Sequence, residues 1–233
     1  MRRAVPHVAA AALVALVLSG CGPAMGDPAP APTHLDLSQL DISGTTRNGI
    51  EYVGGADALR VVLQAMRSAG EVHITGDYER AADAENNVRA GVVHLDFTGT
   101  ASRYIARVTA DGAEHEVRVV GLHAAVRTGE EPWQCVAADS HAVRRFAPLL
   151  DPPALVQSLL GDGSSLAVSP VHPESATVDL LVGATQGTSG ALTVSAEGRA
   201  LPSRLLVGDG TSSAQFAFSA WGEPTHPELP DDC

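Results

Sequence analysis

The 233-residue sequence contains no lysine, few aromatic residues and only three cysteines. Its 15 basic residues, all arginines, stand against 27 acidic residues, which gives a formal net charge of −12. A chain this acidic lacks the basic patches with which proteins bind nucleic acid. The same charge argues against binding to anionic lipid through the protein surface. Three cysteines are too few for a disulfide scaffold, so the chain must bury a hydrophobic core, for which it is long enough.

Motifs of common enzyme classes are also missing. Gly161–Ser165 only superficially resembles a nucleophile elbow, and no phosphate-binding glycine loop joins a strand to a helix. Histidines on predicted strands make a cross-strand metal site conceivable, although strand histidines more often face solvent: His73, His94, His115 and His123. We therefore expect a protein that is not an enzyme and that holds neither a metal ion nor a cofactor.

The N-terminus carries two arginines followed by a short apolar segment. Val8–Leu18 contains 11 residues, whereas a membrane-spanning helix needs about 20. An apolar segment of this length after Arg2 and Arg3 is typical of a secretory signal. Leu18–Cys21 then matches the bacterial lipobox, in which the cysteine thiol accepts a diacylglycerol. We expect residues 1–20 to be a signal peptide and Cys21 to be lipidated; the alternative is an ordinary signal peptide with a chance cysteine.

Acyl chains on Cys21 would determine where the protein resides. Two or three chains hold a protein firmly on a membrane, whereas one chain holds it only marginally. Residues 22–33 contain four prolines, and at ~3.1 Å per residue such a spacer reaches roughly 35 Å from the bilayer. The sequence thus predicts an exported protein anchored to the outer face of the cell membrane, with a tether over 21–50 and one domain over 51–233.

The hydrophobic period changes along the predicted domain. Ala56–Ala69 is predicted to be a helix that is capped by Asp57 and ends at Gly70. From Glu71 to Ala138 the period is two, and Asp111-Gly112 is a hairpin signal, so an antiparallel meander is predicted. The helix has an apolar stripe at i, i+3, i+4 and i+7, formed by Leu59, Val62, Leu63 and Met66.

Two helical segments interrupt the strands. Ser140–Ala147 is predicted to be a short helix stopped by Pro148, and Asp151-Pro152 opens another helix. Alternating strands then resume, and the clearest of them spans Ala214–Ala220. Because helices do not follow each strand, this order favours an α+β fold. The apolar stripe of the second helix consists of Leu155, Val156, Leu159 and Leu160.

Short motifs in the second half resemble a known family. Gly198–Leu205 reads G-x-x-L-P-x-R-L, and Phe218–Pro224 reads F-S-x-W-G-x-P. Trp133 and the Asp151–Leu155 segment, D-P-x-x-L, fit the same pattern. Together with the lipobox, these residues resemble the LppX–LprG lipoproteins of the LolA-like superfamily of lipid and lipoprotein carriers. The resemblance covers about residues 56–227.

The resemblance implies a fold and a function. The fold is a strongly curved antiparallel sheet, an unclosed half-barrel, wrapped around a few helices that leave an apolar cavity. The function is to bind or carry an acyl lipid or glycolipid; the alternative is a lipid-free accessory or sensor that binds a protein partner in the envelope. The residues expected to contact the acyl chains are Leu59, Val62, Leu63, Met66, Tyr104, Leu155, Leu159, Phe216 and Phe218.

Two cysteines remain once Cys21 is acylated. Cys135 lies on a predicted strand, and Cys233 ends a proline-rich tail that would otherwise fray. Export permits oxidation, so we predict a disulfide bond between these two residues. The alternative is two free or intermolecularly paired thiols.

Overall fold

The computed structural model describes residues 46–80, 82, 90–183 and 187–233. Three α-helices lie in this part of the chain: α1 (Gly55–Ala69), α2 (His141–Arg144) and α3 (Pro152–Leu160). Short 3-10 turns occur at Ile50–Tyr52 and Ala147–Leu149.

The strands of the described residues form one sheet. They are β1 (Val72–Arg80), β2 (Gly91–Thr100), β3 (Arg103–Ala110), β4 (Ala113–Val120), β5 (His123–Thr128), β6 (Gln134–Ala137), β7 (Leu166–Val168), β8 (Thr177–Val182), β9 (Ser189–Ser195), β10 (Pro202–Gly208) and β11 (Ser213–Ser219). Their order is β6-β5-β4-β3-β2-β1-β11-β10-β9-β8-β7, and all neighbours pair antiparallel. The sheet is open, with β6 and β7 at its edges. An antiparallel, unclosed sheet with a few helices is the predicted α+β architecture, which is therefore confirmed.

The two halves of the chain meet at the middle of the sheet. β1 pairs with β11 from His73 opposite Ser219 to Glu79 opposite Ser213. β1–β6 form the predicted meander, and β7–β11 form a second one that the helical segments separate in sequence. Asp111 and Gly112 both have positive φ, 53° and 79°, as a two-residue hairpin turn requires.

The inner face of the sheet and the helices share one hydrophobic core. α1 contributes its predicted stripe, and α3 contributes Leu155, Val156 and Leu160. Along β2, buried residues alternate with more exposed ones, so that Val93, Leu95 and Phe97 face the helices. The 3.6-residue and two-residue periods thus place the apolar side chains of both element types on facing surfaces.

Two glycines permit close backbone contacts in this core. A Cβ atom at Gly55, in the first turn of α1, would overlap the backbone of Leu166 in β7. A Cβ atom at Gly76 in β1 would overlap the backbone and ring of the neighbouring β11 residues Gln215 and Phe216. Larger side chains at these positions would separate α1 from β7 and distort the centre of the sheet.

The ends of α1 and α3 follow local chemistry. Gly70 and Gly161 end the helices with positive φ, 83° and 67°. A carboxylate oxygen of Asp151 accepts a 3.1 Å hydrogen bond from the backbone N–H of Ala154, as an N-cap does. The predicted cap at Asp57 is wrong, because Gly54 occupies the N-cap and Asp57 lies in the first turn, 2.5 Å from Arg60.

Two further predictions on element boundaries need correction. The helix predicted over Ser140–Ala147 ends at Arg144, and Pro148 lies inside the following 3-10 turn, where a missing N–H costs nothing. Ala220 has a φ of 53° and follows β11, so it does not continue the stripe that ends with Phe218.

The C-terminal tail is bonded to the rest of the domain at its start, near β1, and at its last residue. Near β1, the backbone N–H of Gly222 donates to Glu71 O at 2.8 Å, and the N–H of Thr225 donates to the Glu71 carboxylate. At the far end, the predicted disulfide bond joins Cys233 to Cys135 of β6, with Cα atoms 5.4 Å apart.

A buried carboxylate lies on β4, on the face opposite the helices. Glu116 is 2% exposed, and its two oxygens accept hydrogen bonds from Arg118 (2.9 and 3.0 Å) and Arg127 (2.6 and 3.1 Å). Both guanidinium groups also lie over the ring of Trp133, at 4.8 and 4.6 Å from its centroid. Arg118 further donates to Glu228 O at 3.3 Å, which joins this cluster to the tail.

Candidate functional site

An apolar cavity of about 410 Å³ lies between the inner face of the sheet and the helical segments. Its volume falls at the lower end of the ~300–1,000 Å³ typical of small-molecule sites. Strands β1–β3, the segment after α2, and α3 supply the lining, which consists of Tyr78, Val93, Val108, Ala110, Arg145, Phe146, Pro148, Leu149, Leu155, Ser158 and Leu159.

The position of the cavity follows from the packing of the helices. α1 packs against α3 and against β7, so its apolar stripe fills the space over that part of the sheet. Over β2 and β3, the cavity is lined on the helical side by α3 and by the short segment around Phe146. The inner face there is therefore incompletely filled, and Val93 and Val108 border open space.

The cavity has three side chains with polar groups. The Ser158 hydroxyl donates to Leu155 O at 2.8 Å, so its proton is used within α3. The hydroxyl of Tyr78 makes no hydrogen bond to the described residues, and the Arg145 guanidinium lies at the exposed rim. Tyr78 and Arg145 therefore provide the hydrogen-bond donors that a polar group in this cavity could use.

The surroundings of Arg145 contain aromatic and imidazole groups. Its guanidinium lies 4.5 Å from the centroid of the Phe146 ring, and Nη2 is 3.1 Å from His115 Nδ1. Burial and the positive charge of Arg145 lower the pKa of His115, an effect that Asp111 partly opposes. A neutral imidazole can accept the hydrogen bond from Arg145 and does not neutralise the arginine charge. No carboxylate of the described residues forms an ion pair with Arg145.

The nine residues predicted to contact the acyl chains lie in different parts of the structure. Leu155 and Leu159 line the 410 Å³ cavity. Met66 borders a separate depression of about 360 Å³ beside Trp221. Eight of the nine residues belong to the buried core, and Leu159 is partly buried. The seven predicted residues that do not line the 410 Å³ cavity are Leu59, Val62, Leu63, Met66, Tyr104, Phe216 and Phe218.

Several lining residues were missed by the sequence analysis. Val93 and Val108 lie within the segment predicted to have a period of two, and this alternation was the available signal for them. Arg145 and Phe146 follow α2, which is shorter than the predicted helix, and no sequence pattern marked them as lining residues. Their position depends on how the α2–α3 segment packs across the sheet, a long-range contact that local periodicity does not report.

A larger depression of about 500 Å³ lies on the opposite face of the sheet, beside the C-terminal tail. Six of its seven lining residues have polar side chains, and they include the guanidinium of Arg107 and the carboxylate of Asp96. Such a surface does not suit an acyl chain, because charged groups next to hydrocarbon lose their hydration without replacement. The smaller, apolar cavity is the better candidate site for a lipid.

Two of the four strand histidines, His73 and His94, form separate pairs with carboxylates. His73 Nε2 lies 3.1 Å from Asp96 Oδ1, and His94 contacts Asp77. His94 and Asp96 lie on the same face of β2, and each binds a partner on β1. Among the described residues, no group of three or more histidine, cysteine or acidic side chains is placed to hold a metal ion.

The signal peptide, Cys21 and most of the tether lie outside the described residues. The lipidation site therefore remains a prediction from the sequence. Among the residues that the structure covers, no helix has the length and apolarity needed to cross a membrane.

Comparisons with known proteins find similarity only at the level of three-dimensional structure. No protein-family profile and no curated protein sequence matches the chain. The crystal structure of the lipoprotein LppX from Mycobacterium tuberculosis is 15% identical, covers 74% of this chain and 97% of its own, and has a TM-score of 0.42. LprF from Mycobacterium bovis is 13% identical, covers 76% and 96%, and has a TM-score of 0.44. LppX is one of the lipoproteins that the sequence motifs resemble, and at these identities and TM-scores the similarities concern the fold alone.

Proposed function

We propose that this protein is an envelope lipoprotein, anchored through Cys21, that binds an acyl chain of a lipid in the cavity between α3 and strands β1–β3. The observation that carries the proposal is the cavity itself, 410 Å³ of largely apolar lining on the inner face of the sheet. Transfer of apolar groups from water to such a surface contributes about 25 cal/mol per Å² of area buried. An acyl chain is the ligand that would gain most from this lining.

The lipobox provides independent support from the sequence. A lipidated Cys21 would hold the domain near the outer face of the membrane, where acyl lipids are available. The acidic surface of the protein does not favour adsorption to anionic lipid by charge. The anchor would therefore keep the protein at the membrane, and the cavity would bind the lipid.

The proposal is tested by extracting the purified protein with organic solvent and identifying the released molecules by mass spectrometry. Cys21→Ala protein is used, so that acyl chains on the anchor do not contribute to the extract. We expect acyl lipid in stoichiometric amount. Extracts without lipid, together with no binding of added acyl lipid, would overturn the proposal.

A cavity-filling variant makes the test specific to this site. Ala110 lines the cavity and is partly exposed, so Ala110→Phe adds a ring to the cavity without entering the closed core. We expect this variant to lose most of the bound lipid. Ala217→Phe is the matched control, because Ala217 is exposed on β11 between the inward-facing Phe216 and Phe218. Equal lipid content in the two variants would count against the cavity.

A lipid-free role in binding an envelope protein is the second candidate. The observation that favours it is the filled core, since seven of the nine residues expected to line a lipid site belong to the buried core and do not line the cavity. In that case Ala110→Phe and the wild type would both be free of lipid. The exposed side chain of Leu122, which is 82% accessible, would then be a suitable first position for mutation in a partner screen.

A further inference from the structure

The polar side chains that line the 410 Å³ cavity offer hydrogen-bond donors. Among the described residues that line it, Arg145 and Tyr78 are the available hydrogen-bond donors, and none carries a carboxylate. The Ser158 hydroxyl donates to its own helix. A ligand that carries only hydrogen-bond acceptors on its polar end would complement this lining, and a negatively charged one would do so best.

The charge of Arg145 is available to a ligand because its contacts within the described residues are uncharged. Those contacts are the ring of Phe146 at 4.5 Å and the Nδ1 atom of His115 at 3.1 Å. Thr128 Oγ1 lies 3.0 Å from the same His115 nitrogen and helps to hold the imidazole in place. A guanidinium that is oriented by neutral groups keeps its remaining N–H groups and its full charge for an anion.

The position of Arg145 relative to the apolar lining sets the orientation of a ligand. Arg145 is exposed at the rim, whereas Val108 and Leu155 are fully buried at the floor. An amphiphile would place its chain on the floor and its head group at the rim, where water can complete the hydration. The volume of 410 Å³ is near the minimum of the ~300–1,000 Å³ range, which fits one chain better than several.

From these observations we infer that the cavity binds a single-chain amphiphile with an anionic head group, a carboxylate or a phosphate, and that Arg145 is the residue that selects the anion. This inference rests on the proposed lipid-binding function and adds to it the charge and the number of chains of the ligand. Tyr78 supplies a second donor to the cavity.

The inference is tested with two ligands that share one chain. Palmitate carries an anionic head, and monopalmitoylglycerol carries a neutral one. Affinities are measured by titration calorimetry with Cys21→Ser protein, so that no acyl chain of its own competes. We expect palmitate to bind at least about fivefold more tightly than monopalmitoylglycerol, in keeping with one charge-assisted hydrogen-bonded contact at an exposed rim. Mass spectrometry after gel filtration is expected to find one palmitate per protein.

Substitutions at Arg145 separate recognition of the anion from packing. Arg145→Gln is expected to weaken palmitate binding about five- to tenfold and to leave monopalmitoylglycerol binding unchanged. Arg145→Lys keeps the charge and is expected to restore part of the palmitate affinity. Arg144→Gln is the matched control, since Arg144 is the exposed neighbour and does not line the cavity.

The outcomes distinguish this inference from the proposed function. Equal affinity for the two ligands, or two or more palmitates per protein, would overturn the inference while lipid binding itself stands. Equal weakening of both ligands by Arg145→Gln would show a structural role and would also overturn it. If neither ligand binds the wild type and extraction yields no lipid, the proposed function fails.

Discussion

Cys135 and Cys233 are joined by a disulfide bond, with Cα atoms 5.4 Å apart, although 98 positions separate them in the sequence. Cys135 lies on β6, an edge strand of the sheet, and Cys233 is the last residue of the chain. The bond therefore closes a loop that includes the helical segments and the whole second meander. It also fixes the end of a tail that has no strand of its own in the described residues.

The first prediction concerns this bond. Cys135→Ser together with Cys233→Ser should lower the free energy of unfolding by about 2–5 kcal/mol, because the unfolded chain regains the entropy of a long open loop. Urea unfolding with and without reductant measures the effect. Reductant should destabilise the wild type and leave the double variant unchanged; two titratable thiols in the denatured, unreduced wild type would contradict the bond.

The second prediction concerns the buried carboxylate of Glu116. Burial alone would raise its pKa, but the hydrogen bonds and charges of Arg118 and Arg127 outweigh burial and lower it below its ordinary value of 4.5. Glu116→Gln should lower the free energy of unfolding at pH 7 by about 1–3 kcal/mol, a moderate loss because both arginines are partly exposed. Glu114→Gln, an exposed position on the same strand, should have little effect.

The pH dependence gives a second measurement on Glu116. A carboxyl group whose pKa is lowered by folding stabilises the folded state above its ordinary pKa. This contribution is lost as the pH falls below 4.5 and through the lowered pKa. Stability curves between pH 7 and pH 3 should therefore be flatter for Glu116→Gln than for Glu114→Gln, and parallel curves would refute the role of the ion pairs.

The third prediction concerns Tyr104, which is 3% exposed and packs against Phe97 with ring centroids 5.2 Å apart. Burial raises the pKa of its hydroxyl from 10 to about 12. Between these two pH values the unfolded state releases a proton that the folded state retains, so stability falls as the pH rises through this interval. Tyr104→Phe should reduce that loss, while stability at pH 7 changes little. Tyr52→Phe, at a position that is 69% exposed, should keep the alkaline loss of the wild type.

The fourth prediction concerns the anchor. Cys21→Ala should release the protein from membranes or leave the signal peptide uncleaved, because no thiol is then present to accept the diacylglycerol. Metabolic labelling with a radioactive fatty acid, combined with membrane fractionation, measures both effects. Cys135→Ser should retain the label and the membrane association. Normal processing and membrane retention of Cys21→Ala would rule out lipidation at this residue.

Local sequence patterns predicted much of the secondary structure. The period of 3.6 in Leu59–Met66 and the period of two in Val93–Phe97 depend only on which side chains share a face, and both helix and strand were observed there. Asp111-Gly112 and Asp151-Pro152 likewise determine a hairpin and a helix start through backbone preferences of a few residues. The two cysteines available for a disulfide could be counted directly once a lipidated Cys21 was assumed.

The candidate site depended on contacts that sequence patterns do not contain. Apolar periodicity shows that a residue faces inward, but not whether a helix covers it. Leu59 and Leu155 both lie on predicted apolar stripes, yet α1 packs closely against β7 through Gly55, and α3 leaves space over β2 and β3. At the cavity rim Arg145 lies beside His115, a residue of β4 that is distant in sequence and that also packs against the Phe146 ring. The sequence by itself determined which side chains are buried, and the tertiary structure decided where burial is incomplete, because cavities arise from mismatched packing between whole elements.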